Sequence, residues 1–148
     1  MKIKFVNLYM DWARRCAELS HARRLHVGAV IVKDDTVISY GYNGMPAGWD
    51  NNCEDEIVIE CDDGNDYDYI LKTKPEVLHA ESNAIAKLAK SSNSGLGADM
   101  FITHSPCLDC AKLIYQSGIR GVYFGQHYRD DSGIKFLEKS GIEVKMVK

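Results

Sequence analysis

The chain has 148 residues, 45% of them hydrophobic and 26% charged, which suffices for a folded core and is unlike the composition of a disordered chain. No apolar run reaches the roughly 18–20 residues of a membrane-spanning helix, and the N-terminus does not resemble a secretory leader, so we expect a cytoplasmic protein with no membrane partner. The net charge of −3 and the lack of a basic stripe argue against a nucleic acid polymer as a partner.

The elements predicted from hydrophobic spacing begin with a helix over residues 5–19. Two β-rich runs follow at about residues 27–33 and 36–41, separated by an Asp-Asp step that is typical of a hairpin. Helices and strands then alternate in the order HAESNAIAKLAK, DMFITH, CLDCAKLIYQSG, GVYFGQ, DSGIKFLEKSG and IEVKMV. This order predicts one α/β domain over residues 1–148, in which a five-stranded mixed sheet carries helices on both faces as three α/β/α layers.

A strongly acidic insert at about residues 49–77 interrupts this pattern. Residues 43–78 contain ten acidic and two basic side chains, which leaves 16 basic and 11 acidic side chains for the rest of the chain. The insert shows little periodicity, so we expect a solvated loop that is disordered in part. The basic excess elsewhere is enough to attract a phosphate group locally.

Two sequence features point to a metal site. Cys107 and Cys110 lie in THSPCLDC at the start of one predicted helix, and His79 opens another, HAESNAIAKLAK. Thiolates and imidazole are ordinary zinc ligands, and a helix N-terminus favours the thiolate over the thiol. Three protein ligands leave the fourth position of a catalytic zinc to water, and Glu81, two residues after His79, is placed to move a proton of that water.

Other interpretations of these residues stay open on the spacing alone. The five cysteines are an odd number, which argues against a complete disulfide framework. A redox dithiol explains Cys107 and Cys110 but not His79. A structural zinc site closed by His104 leaves Glu81 without a role, although a carboxylate is also favourable in itself at a helix N-terminus.

The combination HAE…PCLDC matches the H-x-E…P-C-x-x-C signature of zinc nucleobase deaminases. Together with VGAVIV and GYNGMPAG upstream, it makes the chain resemble the deoxycytidylate (dCMP) deaminase family from about Ser20 to Gly141. The resemblance implies a cytidine-deaminase-like fold and the zinc-dependent hydrolysis of dCMP to dUMP and ammonia, which supplies dUMP for thymidylate synthesis. It implies Glu81 as the residue that moves protons between the water and the base, and a zinc ion (Zn2+) held by His79, Cys107 and Cys110.

The same resemblance implies the contacts to the base and the sugar. Backbone groups near Ala80 and Ser105 hold the edge of the base, and Asn43 in GYNG contacts the sugar. A plainer explanation of Asn43 is that it serves as a turn residue.

Contacts to the monoester phosphate are implied for Ser20, Arg24 and Tyr128. A cation and hydroxyl groups suit such a phosphate. Plainer explanations exist here too, with Ser20 as a helix-end residue, Arg24 as a surface charge and Tyr128 as a core or interface aromatic.

Regulation and assembly are also suggested by the resemblance. In regulated members of the family, GYNGMPAG helps to form a site for dCTP as activator and dTTP as inhibitor with Mg2+, within a hexamer, so we expect a homo-oligomer. Some members bind a second, structural zinc through a Cys where this chain has Ala22, which puts a second zinc in doubt. The matching effector loop here contains Tyr42, Gly44, Met45, Pro46 and Gly48.

Two competing functions remain at this stage. One is a related zinc deaminase acting on cytidine, guanine or a tRNA adenosine, which usually lacks the combination of GYNGMPAG with Ser20 and Arg24. The other is a non-catalytic zinc module that serves DNA uptake or partner binding on the same fold.

Overall fold

A computed structural model describes residues 1–61, 64 and 66–148 of the chain. No helix in that part of the chain is long and apolar enough to cross a membrane. The elements, in chain order, are α1 Ile3–Ala17, β1 Gly28–Lys33, β2 Thr36–Tyr42, β3 Glu54–Glu60, β4 Tyr67–Thr73, α2 Ala80–Ala89, β5 Asp99–His104, α3 Leu108–Gln116, β6 Gly121–Gln126, α4 Ser132–Lys139 and β7 Glu143–Met146.

The main sheet has five strands in the order β2-β1-β5-β6-β7. Strand β1 pairs antiparallel with both β2 and β5, whereas β5, β6 and β7 run parallel to one another. Parallel neighbours need a crossover connection, and α3 and α4 supply the two crossovers. The five-stranded mixed sheet that the sequence predicts is therefore confirmed.

Alternate residues of β1 show how the sheet separates two helical layers. Ala29 and Ile31 belong to a buried cluster that includes residues of α2, α3 and α4. Val30 and Val32 belong to a second cluster, built mainly on α1. Because successive side chains of a strand point to opposite faces, α1 covers one face and the other three helices cover the opposite face. The α/β/α layering is confirmed.

The acidic insert is largely exposed to solvent, as expected, but it forms a hairpin and not a loop. Strands β3 and β4 pair antiparallel in a separate two-stranded sheet, with Ile57 opposite Ile70 and Val58 opposite Tyr69. Their β-branched and aromatic side chains suit a pleated surface, and pairing them gives the backbone hydrogen bonds that a loop would leave to water. The expected disorder falls partly on residues 62, 63 and 65, which lie outside the described residues.

Close backbone packing places the start of α2 against the sheet. A Cβ atom added to Gly41, in β2, would lie 2.3 Å from the Ala80 carbonyl oxygen and 2.8 Å from the Ala84 nitrogen. Only a residue without a side chain allows this approach. The N-terminus of α2 is thereby held at the sheet, and Ala80 is fully buried.

We expect Gly41→Ala to lower the free energy of unfolding by about 1–3 kcal/mol, because the added methyl group has to displace the α2 backbone. Chemical denaturation followed by circular dichroism measures the change. The control is Gly44→Ala, where a Cβ atom meets no other atom within 4 Å, and the expected change is below about 0.5 kcal/mol. Equal losses in the two variants would contradict this packing of α2 on β2.

Candidate active site

The sequence-predicted metal ligands meet where two helices begin. His79 immediately precedes α2, and Cys107 immediately precedes α3, with Cys110 in the first turn of α3. Both His79 and Cys107 have extended backbone, at ψ 153° and 169°, so the chain turns into each helix directly after them. Free backbone N–H groups and the helix dipole favour the ionised form of a thiol at such a position.

The three side chains are close enough to bind one metal ion. His79 Nδ1 lies 3.6 Å from Cys107 Sγ and 3.3 Å from Cys110 Sγ. All three ligand atoms lie within 4.8 Å of one another. Bond lengths of about 2.3 Å to sulfur and about 2.0–2.1 Å to nitrogen place a sulfur and a nitrogen of a tetrahedral zinc site about 3.5 Å apart. One nitrogen and two sulfur donors at these distances fit zinc.

The group comprises three ligands in the described part of the chain, and His104 does not join it. The His104 ring is instead half-buried, with Nδ1 2.9 Å from Thr103 Oγ1, and burial lowers its pKa. A site closed by His104 as a fourth ligand is therefore not formed. Three protein donors correspond to a zinc site with one open position.

The two thiols are coupled through a hydrogen bond. The pKa of Cys107 is held well below its ordinary value, first because Cys110 donates a hydrogen bond to its sulfur and then because His79 does so. The pKa of Cys110 is raised by the same hydrogen bond to Cys107 and by burial. Without a metal the pair thus keeps one proton, and a divalent cation between the sulfurs would favour the loss of that proton.

Glu81 lies in the first turn of α2, beside the metal ligands, with only 4% of its surface exposed. Burial raises the pKa of its carboxyl group, while a hydrogen bond with Cys110 and the charge of His79 oppose the rise. A buried carboxylate with a raised pKa accepts a proton more readily than an ordinary one. The arrangement suits a group that transfers protons next to a metal.

A cavity of about 450 Å³ opens beside these groups, which is a size typical of small-molecule sites. The sequence-predicted site residues that line it are Arg24, Asn43, His79, Ala80, Glu81, Ser105, Cys107 and Tyr128. The structure thus brings together residues that come from five different parts of the chain.

Ser105 and Tyr128 are connected directly. The Ser105 hydroxyl accepts a hydrogen bond of 2.7 Å from the Tyr128 backbone N–H, and the Ser105 N–H donates to the Gln126 carbonyl oxygen. Arg24 lies beside the Tyr128 hydroxyl, and its hydrogen bond and charge lower the pKa of Tyr128. A cation and a phenol therefore lie together in the wall of the cavity.

Asn43 and Ser20 stabilise the same wall of the cavity through hydrogen bonds. The Asn43 side chain accepts a hydrogen bond from the Val27 N–H at 2.9 Å and donates one to the Leu25 carbonyl oxygen at 2.8 Å. Ser20 is buried, lies outside the set that lines the cavity, and donates to the Asn43 carbonyl oxygen at 2.8 Å. Ser20 is therefore placed to support Asn43 and not to face the cavity.

The residues of the expected effector loop are not among those that line the cavity, although the loop is adjacent to the lining residue Asn43. Gly44 pairs with Leu78 through two backbone hydrogen bonds of 3.1 and 2.8 Å. Tyr42 ends β2, and Gly48 has a positive φ of 87°. Pro46 accepts a backbone hydrogen bond from Trp49 at 3.1 Å, which closes a turn.

Apolar packing surrounds Ala22, the position at which the family resemblance suggested the Cys of a second zinc site. Ala22, Cys53 and Val77 form a small buried cluster against Met45 of the effector loop. Burial raises the pKa of the Cys53 thiol, which disfavours the thiolate that a metal requires. Within the described residues, the group of His79, Cys107 and Cys110 is the only one of three or more such ligands.

Sequence analysis missed the contribution of the acidic insert to the cavity. The hairpin β3–β4 supplies one wall, and its β-branched runs were the signal that could have revealed it. The lining residues from this hairpin are Glu54, Ile57, Ile70, Leu71, Lys72 and Thr73. Arg129 also lines the cavity and stacks over the Tyr128 ring at 5.6 Å.

Residues 4–126 match the family model described as the cytidine and deoxycytidylate deaminase zinc-binding region. ComE operon protein 2 of Bacillus subtilis is 35% identical over 147 residues, which cover 99% of this chain and 72% of that protein. Deoxycytidylate deaminase of Enterobacteria phage T4 is 36% identical over 148 residues, with 80% of this chain and 77% of that protein covered.

A solved structure is similar over nearly the whole chain. It is the dCMP deaminase of cyanophage S-TIM5 in complex with dCMP and dUMP, with 40% sequence identity and a TM-score of 0.86. The similarity covers 99% of this chain and 99% of that one.

We expect Cys107→Ala to weaken zinc binding by on the order of 100-fold or more, since the loss of an outer-shell partner alone costs about 10–100-fold. Zinc content after dialysis against a buffered chelator, measured by atomic emission, tests this. Cys61→Ala is the matched control, because this thiol is half-buried and follows β3, outside the ligand group. Full zinc retention by Cys107→Ala would remove Cys107 from the site.

Proposed function

Because this chain belongs to the cytidine and deoxycytidylate deaminase zinc-binding family, we propose that it catalyses the hydrolytic deamination of dCMP to dUMP and ammonia. The observation that carries the proposal is the buried Glu81 carboxylate beside the group of His79, Cys107 and Cys110, all next to one cavity. The cyanophage enzyme that was solved with dCMP and dUMP has the same fold at 40% identity, which supports the same substrate here.

Zinc would be held by His79, Cys107 and Cys110. When bound, zinc acts as a Lewis acid that lowers the pKa of a water molecule to about 7. The role of the protein is to keep three donors in place and to leave room for water and the base in the cavity.

Glu81 would move the protons of the reaction. Its carboxylate takes a proton from the water whose oxygen forms a bond to C4 of the cytosine, and it gives that proton to N3 of the ring. Glu81 then takes the remaining proton from the oxygen now bonded to C4 and gives it to the exocyclic nitrogen. The bond between C4 and that nitrogen breaks as the C4–O double bond forms, and the nitrogen leaves as ammonia. Water and cytosine thus yield uracil and ammonia, and Glu81 returns to its carboxylate form.

The remaining cavity residues would orient the nucleotide. Backbone groups of Ala80 and Ser105 would hold the edge of the base, and Asn43, which also lines the cavity, would contact the sugar. Arg24 and Tyr128 would bind the monoester phosphate, since a guanidinium and a phenol are strong partners for phosphate oxygens.

Three further expectations from the sequence stay predictions: a cytoplasmic location, a supply of dUMP for thymidylate synthesis, and a hexameric assembly. Regulation by dCTP and dTTP with Mg2+ at the effector loop belongs to the same set. The position of that loop outside the cavity lining is compatible with a separate effector site.

We expect Glu81→Gln to lower kcat for dCMP by about 10²–10⁴-fold while zinc stays bound, because the amide cannot accept the proton. Steady-state kinetics over a substrate range that reaches saturation, paired with zinc analysis of the same sample, measures both quantities. Glu138→Gln is the matched control, since this carboxylate is exposed on α4. Near-normal turnover by Glu81→Gln would exclude the assigned role.

We expect kcat/KM for dCMP to exceed that for deoxycytidine by on the order of 10–100-fold, because charged hydrogen bonds to the phosphate contribute about 1.5–3 kcal/mol. The loss of cytosine absorbance with dCMP, CMP, deoxycytidine and a short single-stranded DNA measures the preference. Faster turnover of deoxycytidine would contradict the phosphate contacts. A zinc-loaded protein with no turnover of any of them would favour the non-catalytic module.

A further inference from the structure

The base of the acidic hairpin lies against the segment that carries Arg24. Glu54, the first residue of β3, is directly opposite Thr73, the last residue of β4. Both residues line the cavity. The base of the insert therefore contributes to the wall of the cavity expected to hold the nucleotide.

Glu54 is a buried carboxylate, with 1% of its surface exposed. Its two oxygens accept hydrogen bonds from the Arg23 backbone N–H at 2.8 and 3.1 Å, and one of them accepts from the Arg24 N–H at 3.3 Å. The Arg23 Nε lies 3.7 Å away. A buried charge is tolerated only with such partners, so Glu54 fixes the backbone from which the Arg24 side chain starts.

The other end of the Arg24 side chain is also held. Its Nη1 donates a hydrogen bond of 3.4 Å to Thr73 Oγ1, and its guanidinium lies beside the Tyr128 hydroxyl. Residues 21–27 contain no helix or strand, so the local backbone alone does not orient the side chain. The hairpin base thus contacts Arg24 at both its backbone and its guanidinium.

We propose that Glu54 and Thr73 are positioning residues that orient the Arg24 guanidinium for a monoester phosphate, and that they thereby set the preference for a nucleoside monophosphate over a nucleoside. This inference rests on the proposed function. An arginine that is already oriented loses less side-chain entropy when the phosphate binds. The negative charge of Glu54 is offset in part by the Arg23 guanidinium, whose Nε lies 3.7 Å from it, and its oxygens are turned toward backbone N–H groups.

A matched pair of substitutions at Thr73 tests the inference without removing a buried charge. Thr73→Val keeps the shape and removes the hydroxyl, whereas Thr73→Ser keeps the hydroxyl. We expect Thr73→Val to raise KM for dCMP by about 3–10-fold with little change in kcat. The KM for deoxycytidine should be unchanged. Thr73→Ser should restore the wild-type KM for dCMP.

Glu54→Gln extends the test to the backbone contact, with Glu56→Gln as its control in the same strand. Glu56 pairs with the Arg23 guanidinium at the surface and does not line the cavity. We expect Glu54→Gln to raise KM for dCMP by about 10-fold and Glu56→Gln to change it by less than 2-fold. If Glu54→Gln fails to fold, the Thr73 pair decides the question.

A double-mutant cycle with Arg24→Ala shows whether the hairpin acts through Arg24. If it does, Thr73→Val adds no further increase in KM for dCMP once Arg24 has become alanine. Two results would overturn the inference while the proposed function stands. One is a Thr73→Val variant in which the ratio of kcat/KM for dCMP to kcat/KM for deoxycytidine is unchanged, because both substrates lose equally. The other is full additivity of Thr73→Val with Arg24→Ala. A zinc-loaded wild-type protein that converts neither substrate would overturn both.

Discussion

The imidazole of His79 and the thiols of Cys107 and Cys110 converge because α2 and α3 begin at the same edge of the sheet. Their ligand atoms share a space less than 4.8 Å across, with the Glu81 carboxylate buried beside them. Two thiolates and a carboxylate cannot all be ionised there unless a cation offsets their repulsion. The pKa of Cys110 is raised mainly by its hydrogen bond to Cys107, and the pKa of Glu81 is raised mainly by burial, so a cation at this point would favour the ionised form of both groups.

The convergence of the metal ligands depends on close packing of the backbone segments that carry them. Gly41 brings β2 against the start of α2, as described above. Gly133, in α4, does the same for the segment before α3, because a Cβ atom there would lie 2.1 Å from the Pro106 carbonyl oxygen. The N–H of Ser105 donates a hydrogen bond to the carbonyl oxygen of Gln126, the last residue of β6. Each ligand-bearing segment is thus held by backbone contacts, and an error of 1 Å there would already affect catalysis.

The sequence predicted the main sheet, its helices and the metal group because these depend on short-range patterns. His79 and Glu81 are two residues apart, and Cys107 and Cys110 are three apart, so their local geometry is visible in the chain itself. The β3–β4 hairpin was mispredicted because an isolated two-stranded hairpin is marginally stable. Its base is tied to residues 23 and 24 through Glu54, a contact across 30 positions that no local pattern reveals.

The acidic hairpin lies next to the proposed phosphate site, where its carboxylates would be expected to repel a phosphate. Contacts made by these carboxylates reduce that repulsion. At the base of the hairpin, Glu54 is engaged by two backbone amides, Lys74 Nζ lies 2.6 Å from Asp55, and Arg23 Nη1 lies 2.8 Å from Glu56. Exposed ion pairs of this kind add little stability, but they cancel much of the field of each acid within a Debye length of about 8–10 Å. Three arginine or lysine side chains, Arg24, Lys72 and Arg129, line the cavity against two carboxyl groups, those of Glu54 and Glu81. The local charge is therefore favourable for an anion even though the insert as a whole is acidic, and net charge by segment is a poor guide to the potential inside the cavity.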